Sequence, residues 1–147
     1  MKGKNIGGYI WGKNSNNPLV LVTSYDYLGK DSKGLYKNGT SVAAILELAR
    51  NLRAKSKENM NSRTIVFLFT DGSEQNGQGV IESIGNKNID VYSFYVYMNY
   101  LGLGESQNDL SKIDKEKFKE QSQLVLDFAV DYAWISNWKD RGLKACN

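Results

Sequence analysis

Three runs of consecutive apolar residues constrain the fold of this chain more than any other feature of its sequence. They are Leu19–Val22, Thr64–Thr70 and Val91–Met98, and the last two are rich in β-branched and aromatic residues. Uninterrupted apolar runs of this length predict strands buried on both faces, as in a parallel sheet covered by helices. A weaker strand is predicted at Gly8–Trp11, ahead of a polar loop.

Helical patterns alternate with these strands. Apolar residues spaced three and four apart between positions 45 and 52 predict one helix, with Thr40 or Ser41 as its N-cap. A short helix is predicted over residues 78–85 and a long one over residues 111–137. The order β–β–α–β–α–β–α predicts one α/β domain over residues 1–147, a three-layer α/β/α arrangement around a mostly parallel mixed sheet of about four to six strands.

Composition excludes several classes of function. The 147 residues contain no histidine and one cysteine, Cys146, so His-dependent triads, His-ligated metals and an internal disulfide are excluded. A net charge of +3, scattered along the chain, does not indicate nucleic-acid binding. No run approaches the roughly 20 apolar residues of a membrane span, and Met1–Asn5 is not followed by the apolar stretch of a signal peptide.

Ligands of such sheets usually bind at the carboxyl ends of the strands. This rule directs attention to the segments that follow the three apolar runs, which are Thr23–Gly29, Asp71–Gly79 and Asn99–Ser106.

Four stretches of the sequence match motifs of one known family. Residues 6–14 (IGGYIWGKN) are similar to N-V-I-G-Y-I-x-G, and residues 18–29 (PLVLVTSYDYLG) to P-L-V-L-V-T-A-H-Y-D-H-L-G. Residues 63–75 (RTIVFLFTDGSEQ) resemble R-T-I-V-F-L-F-T-D-G-E-E-Q, and residues 97–102 (YMNYLG) resemble N-L-D-M-x-G. Through these motifs the chain resembles the M28 family of zinc aminopeptidases. The resemblance implies a phosphorylase/hydrolase-like fold, trimmed relative to the catalytic members or cut from a larger polypeptide.

The resemblance also shows which metal positions have changed. The family holds two zinc ions with two His, two Asp and one Glu. The first His position is Ser24, the bridging Asp falls on Lys37, and the second Asp falls on Asn99. Only the ligand Glu is kept, as Glu74, and no residue can supply the distal His. We therefore expect no zinc and no other cofactor.

The catalytic positions are altered as well. The family's orienting Asp is kept as Asp26, but its general-base Glu falls on Ser73. Lys37 is expected to form a salt bridge with Asp26 or Glu74 in place of the lost cations. A purely structural role for Asp26 and Glu74 at strand ends is the competing interpretation.

The function expected from this resemblance is that of a catalytically inactive peptidase-like domain, a binding or scaffolding module in an extracytoplasmic or surface protein. Its partner would be a protein or peptide, and an edge strand exposed by trimming would pair with another chain or with the missing part of the protein. Aromatic residues are expected to supply contact surface, although about half of them would belong to the core. They are Tyr9, Trp11, Tyr25, Tyr27, Tyr36, Tyr97, Tyr100, Trp134 and Trp138.

Two alternatives remain at this point. One is an active hydrolase with a reduced metal site, using Asp26 and Glu74 as acid and base. The other is a von Willebrand A-like adhesion domain with a lost metal site, because residues 64–76 and 89–95 also resemble that family. The Asp-x-Ser-x-Ser turn of adhesion domains is absent from residues 23–27, which read TSYDY.

Overall fold

The computed structural model shows a four-stranded sheet with helices on both faces. It describes residues 4–26, 38–72, 78–85, 93–99, 101–102 and 109–135, and all structural statements below concern these residues. The elements are β1 (Ile6–Ile10), β2 (Asn14–Ser24), α1 (Thr40–Glu58), β3 (Arg63–Thr70), α2 (Gln78–Gly85), β4 (Phe94–Tyr97), a 3₁₀ turn (Leu110–Lys112) and α3 (Lys115–Trp134). The predicted element order is confirmed.

The strand order is β1-β3-β2-β4. The β2 strand pairs in parallel with both β3 and β4, whereas β1 runs antiparallel to β3. The sheet is therefore mixed and mostly parallel, as predicted. Within the described part of the chain, β1 and β4 are the two edge strands, which leaves β2 and β3 in the centre.

Successive residues of the central strands pack into two separate apolar clusters, because side chains alternate between the faces of a sheet. Leu19, Leu21 and Ile65 are fully buried with α1 and α3 on one face. Val20, Val22 and Leu68 pack on the other face, where Val80 of α2 contacts them. This division confirms the three-layer α/β/α architecture.

Helix α1 confirms the predicted apolar stripe but not the predicted cap. Ile45, Leu48 and Leu52 are buried against the sheet. The helix is preceded by Gly39, whose φ of −60° and ψ of −43° are already helical, and no side chain caps it. The prediction that Thr40 or Ser41 caps α1 was wrong, because the helical turn starts before them and buries both inside it.

Helix α3 is shorter than the predicted 111–137. Asp114 ends the preceding turn and caps the helix by accepting a hydrogen bond from the Lys117 amide at 2.9 Å. At the other end, the Arg63 guanidinium donates to the Tyr132 carbonyl at 2.7 Å and to the Ile135 carbonyl. The guanidinium also lies 4.8 Å from the centre of the Tyr132 ring. Arg63 thus fastens the C-terminus of α3 to the start of β3.

Strand β4 departs from its predicted burial on both faces. Phe94 and Tyr97 are 45% and 49% exposed. The reason is the edge position of β4, which gives it one strand neighbour among the described residues instead of two. Phe94 nevertheless packs 5.2 Å from the Phe128 ring of α3. Positions 91 and 92 of the predicted strand lie outside the described residues.

None of the described helices combines the length and apolar character needed to cross a membrane.

Candidate site at the carboxyl ends of the strands

The carboxyl ends of β2, β3 and β4 meet at one edge of the sheet, because these three strands run parallel. Ser24 pairs with Thr70 of β3, and Val22 pairs with Tyr97 of β4. The last residues of the three strands therefore converge, as the sequence predicts for a ligand site in an α/β sheet.

Three hydroxyl groups form the centre of this convergence. The Ser24 Oγ lies 3.2 Å from the Thr70 Oγ1 and 3.1 Å from the Tyr97 Oη. Ser24 and Thr70 are at most 1% exposed, whereas Tyr97 keeps about half of its surface in solvent. We call Ser24, Thr70 and Tyr97 the hydroxyl cluster. Because its two buried members bond to each other, neither needs water or a ligand to satisfy it.

Hydrogen bonds to backbone carbonyl groups fix the path of the chain just after β2. The Tyr25 amide donates to the Thr70 carbonyl at 3.0 Å, which extends the β2–β3 pairing past the hydroxyl cluster. The side-chain amide of Asn38, which is 2% exposed, donates to the Asp26 carbonyl. Asn38 directly precedes the first turn of α1, so this contact places the N-terminus of α1 beside the end of β2.

A second polar arrangement holds the end of β3. Asn5 accepts a hydrogen bond from the Asp71 amide at 3.2 Å and donates to the Gly79 carbonyl at 2.8 Å. Asp71 accepts from the Gly72 amide at 2.8 Å, within a turn where Gly72 has a φ of 77°. A Cβ on Gly79 would lie 2.0 Å from the Asp71 carbonyl oxygen, so glycine lets α2 press directly on this turn. Asp71 therefore shapes the turn.

The structure brings some of the predicted site residues to this edge. Ser24 ends β2, Asp26 follows it by two residues, and Asn99 follows β4 by two. Lys37, Ser73 and Glu74 lie outside the described residues, so the predicted salt bridge of Lys37 with Asp26 or Glu74 stays a prediction.

Sequence reasoning did not predict the contacts of Thr70 and Tyr97 with Ser24, nor that of Asn5 with the start of α2. Tyr97 and Thr70 lie 73 and 46 positions from Ser24, and Asn5 lies 74 from Gly79. No local pattern links residues so far apart. The end of each apolar run was the one available signal, and it does identify Thr70.

The chemistry of the hydroxyl cluster differs from that of a metal centre. Zinc in proteins is bound by Cys, His, Asp and Glu side chains. Neutral hydroxyls that are bonded to one another supply none of these donors, so the cluster does not fit a zinc pair. Within the described residues, no three His, Cys, Asp or Glu side chains come together in a group that could hold a metal.

A shallow groove lies on the helical layer instead of at the strand ends. Its volume is about 500 Å³, and it runs between α1 and α3. It is lined by Asn51, Leu52, Lys55, Leu126, Asp127, Val130 and Asp131. The α1 residues that line it lie in the C-terminal half of that helix, at the opposite end from Asn38 and the hydroxyl cluster.

Comparison with known families identifies the domain. Residues 5–133 match peptidase family M28, a range that begins just before β1 and ends one residue before the end of α3. The chain belongs to peptidase family M28. A comparison with curated proteins finds no match to it. The four-stranded mixed sheet with three helices agrees with a domain of this family, and nothing in the comparisons supports the von Willebrand A-like alternative.

Proposed function

We propose that this M28 domain is catalytically inactive and acts as a module that binds a protein or peptide. The observation that carries the proposal is the state of Ser24. This residue stands where the M28 resemblance puts the first zinc-binding histidine, and it is 1% exposed with its hydroxyl bonded to Thr70 and Tyr97. A buried, satisfied hydroxyl contributes to the fold and offers no metal ligand.

The rest of the sequence supports the same proposal. A dinuclear zinc site needs neutral imidazoles and several carboxylates at close range, and this chain has no histidine at all. Two further ligand positions have become Lys37 and Asn99, and the general-base position has become Ser73. With a serine at the general-base position, the removal of a proton from metal-bound water that starts hydrolysis in M28 relatives loses its assigned base.

Exposed aromatic side chains near the strand ends support a binding role. Tyr25 is 37% exposed and Tyr97 is 49% exposed, and both lie at the carboxyl edge of the sheet. Tyrosine is enriched at protein interfaces because it combines a large apolar ring with a polar hydroxyl. A peptide bound at the carboxyl ends of the strands would occupy the place of the family's active-site cleft and would not be hydrolysed there.

The decisive experiment measures metal and turnover on the purified chain. Aminoacyl chromogenic substrates are assayed with zinc, cobalt or manganese added, and metal content is measured by mass spectrometry. We expect substoichiometric metal and the same background rate for the wild type, Glu74→Gln and the exposed control Glu58→Gln. Turnover lost only in Glu74→Gln would contradict the proposal and favour the reduced-site hydrolase. Two tightly bound transition-metal ions per chain would contradict it as well, because they would mean that a dinuclear centre forms.

Binding is tested separately with a displayed library of random peptides. Selection on the wild type, with counter-selection on Tyr25→Ala, is expected to enrich peptides that need this edge of the sheet. Circular dichroism confirms that the variant is folded. If no selected peptide binds the wild type more tightly than it binds Tyr25→Ala, the peptide-binding part of the proposal fails, even if no turnover is found.

We also propose, from the family resemblance, that the domain belongs to the extracytoplasmic part of a membrane or surface protein. Protease treatment of intact cells, with detection by an antibody against the chain, tests this placement. Cleavage without cell lysis is expected, and protection that ends only on lysis would refute it.

A further inference from the structure

Two buried polar atoms lie three residues apart at the start of α1. In the described part of the chain, the Asn38 Oδ1 and the Ser41 Oγ have no hydrogen-bond partner. Asn38 is 2% exposed and Ser41 is fully buried. Native proteins pair about nine in ten or more of their buried polar atoms, because an unsatisfied one loses its bonds to water and gains none in return. Two exceptions within one turn therefore indicate that a bound group supplies their partners.

The two side chains lie on the same face of this turn. Gly39 between them has helical angles, so positions 38 and 41 follow helical spacing, with Cβ atoms about 5–6 Å apart. Side chains of a helix tilt toward its N-terminus, which directs the Ser41 hydroxyl back toward Asn38 and the end of β2. Asn38 is held in place, because its amide nitrogen donates to the Asp26 carbonyl. The Asn38 Oδ1 and the Ser41 hydroxyl thus form one small polar site beside the strand ends.

The two atoms need opposite partners. The Asn38 Oδ1 only accepts hydrogen bonds, so its partner has to be a donor. The Ser41 hydroxyl lies at the positive end of the α1 dipole, and the helix has no side-chain cap and no acidic residue in its first turn, so an acceptor is favoured beside it. A ligand for this site therefore carries one donor and one acceptor close together.

We propose that this site binds the main chain of one residue of an extended peptide, whose N–H donates to the Asn38 Oδ1 and whose C=O accepts from the Ser41 hydroxyl. The N–H and C=O of such a residue point to the same side, as they do in a hydrogen-bonded pair of antiparallel strands. The inference rests on the peptide-binding role proposed above and specifies how the peptide is held. Main-chain recognition leaves sequence preference to the exposed Tyr25 and Tyr97 at the same edge.

A charged group fits the site less well than a peptide group. A carboxylate would satisfy Ser41 and the N-terminus of α1, but it has no donor for the Asn38 Oδ1, and the neighbouring Asp26 is a second acidic residue. An ammonium group would satisfy Asn38 but would lie at the positive end of α1. The neutral pair of N–H and C=O satisfies both atoms at once and avoids either repulsion.

Capped amino acids test each half of this contact on the wild-type chain. The probe is N-acetylglycine N-methylamide, and binding is followed by the NMR signals of the backbone amides of residues 38–42. We expect saturable shifts there with a Kd of about 10 mM, as suits a molecule of this size, and none at Leu124 of α3. N-acetylsarcosine N-methylamide, which lacks the N–H in question, is expected to bind about fivefold more weakly. Equal binding of the two, no saturable shift, or tighter binding of acetate would overturn the proposal.

The Ser41→Ala variant separates a binding role from a structural one. It removes a hydroxyl that has no partner in the described part of the fold, so the urea midpoint is expected to equal or exceed that of the wild type, while binding of the probe weakens about fivefold. Ser15→Ala, at an exposed position of β2, is expected to change neither. A lowered midpoint or unchanged binding in Ser41→Ala would refute the site. Selected peptides that depend on Tyr25 would then still support the binding role proposed above, so the two failures are distinguishable.

Discussion

Replacing Ser24 with alanine tests whether the hydroxyl cluster is part of the fold. The change removes two contacts, to Thr70 at 3.2 Å and to Tyr97 at 3.1 Å. A neutral hydrogen bond contributes about 0.5–1.5 kcal/mol net, and a buried group left unsatisfied costs more. Neither Thr70 nor Tyr97 is left buried without a hydrogen-bond partner. The Thr70 hydroxyl still donates to the Thr23 carbonyl at 3.4 Å, and the half-exposed Tyr97 hydroxyl bonds to water. We therefore expect a loss of about 1–2 kcal/mol in the free energy of unfolding.

Unfolding by urea is monitored by circular dichroism. The unfolding midpoints of the variants are compared on condition that the slope m of the free energy against urea concentration is unchanged. Ser15→Ala is the matched control, because Ser15 lies on the same strand and is exposed. Exposed substitutions of this kind stay within about 0.5 kcal/mol of the wild type. A Ser24→Ala variant that unfolds together with Ser15→Ala would show that the cluster contributes nothing to stability.

A double-mutant cycle with Tyr97→Phe isolates the contact across the two strands. The single Tyr97→Phe change is expected to cost about 0.5–1 kcal/mol, since the Ser24 hydroxyl keeps Thr70 as its partner. The coupling between the two changes is expected to be about 0.5–1 kcal/mol. Strict additivity would refute the reasoning, because it would mean that the 3.1 Å contact carries no energy.

Three further predictions concern the rest of the fold. Arg63→Met removes both hydrogen bonds that one guanidinium nitrogen donates to the end of α3, together with the cation–ring contact with Tyr132, so urea unfolding should show a loss of about 1–2 kcal/mol. The exposed control Arg53→Met should change little, and equal effects would refute this role. Gly79→Ala places a methyl group 2.0 Å from the Asp71 carbonyl, so thermal unfolding should show a loss of about 3 kcal/mol, and a loss below about 1 kcal/mol would contradict the predicted clash. Burial raises the pKa of Tyr132 above its ordinary 10.0, so the unfolded chain ionises first and stability falls as the pH rises through that value; Tyr132→Phe should flatten this fall, and unchanged slopes would exclude it.

The sequence predicted the centre of the fold better than its edges. Leu19–Val22 and Thr64–Thr70 are buried on both sides by helices, so nearly every residue is apolar or β-branched and the pattern has one interpretation. Residues 91–98 gave the same pattern, yet β4 covers only Phe94–Tyr97 and is half-exposed. A strand at the edge of a sheet lacks one neighbour, and the apolar pattern of a single sequence does not show which of its strands lies at the edge.

The convergence of the strand ends was predicted, but the side chains that meet there were not. The rule that ligands bind at the carboxyl ends of parallel strands directed attention to residues 23–29, and the M28 resemblance then singled out Ser24 and Asp26. It could not assign Tyr97 to Ser24, because that contact depends on the register of β4 against β2. Nor could it show that Asn5, at the start of the chain, bonds to α2.

The residues that hold this domain together are separate from those at the strand ends, so under the function proposed above the site can change while the M28 fold persists. Leu19 and Leu21 belong to one apolar cluster, and Val20 and Val22 belong to the other. None of these side chains belongs to the hydroxyl cluster at the carboxyl ends of the strands. Truncating a buried leucine costs about 2–5 kcal/mol, whereas the expected cost at Ser24 is about 1–2 kcal/mol. Substitutions at the edge are therefore the cheaper ones, provided that each new polar group finds a partner there. The hydroxyl cluster meets this condition, because the Ser24 hydroxyl bonds to Thr70 and Tyr97 across the strands and leaves the sheet intact.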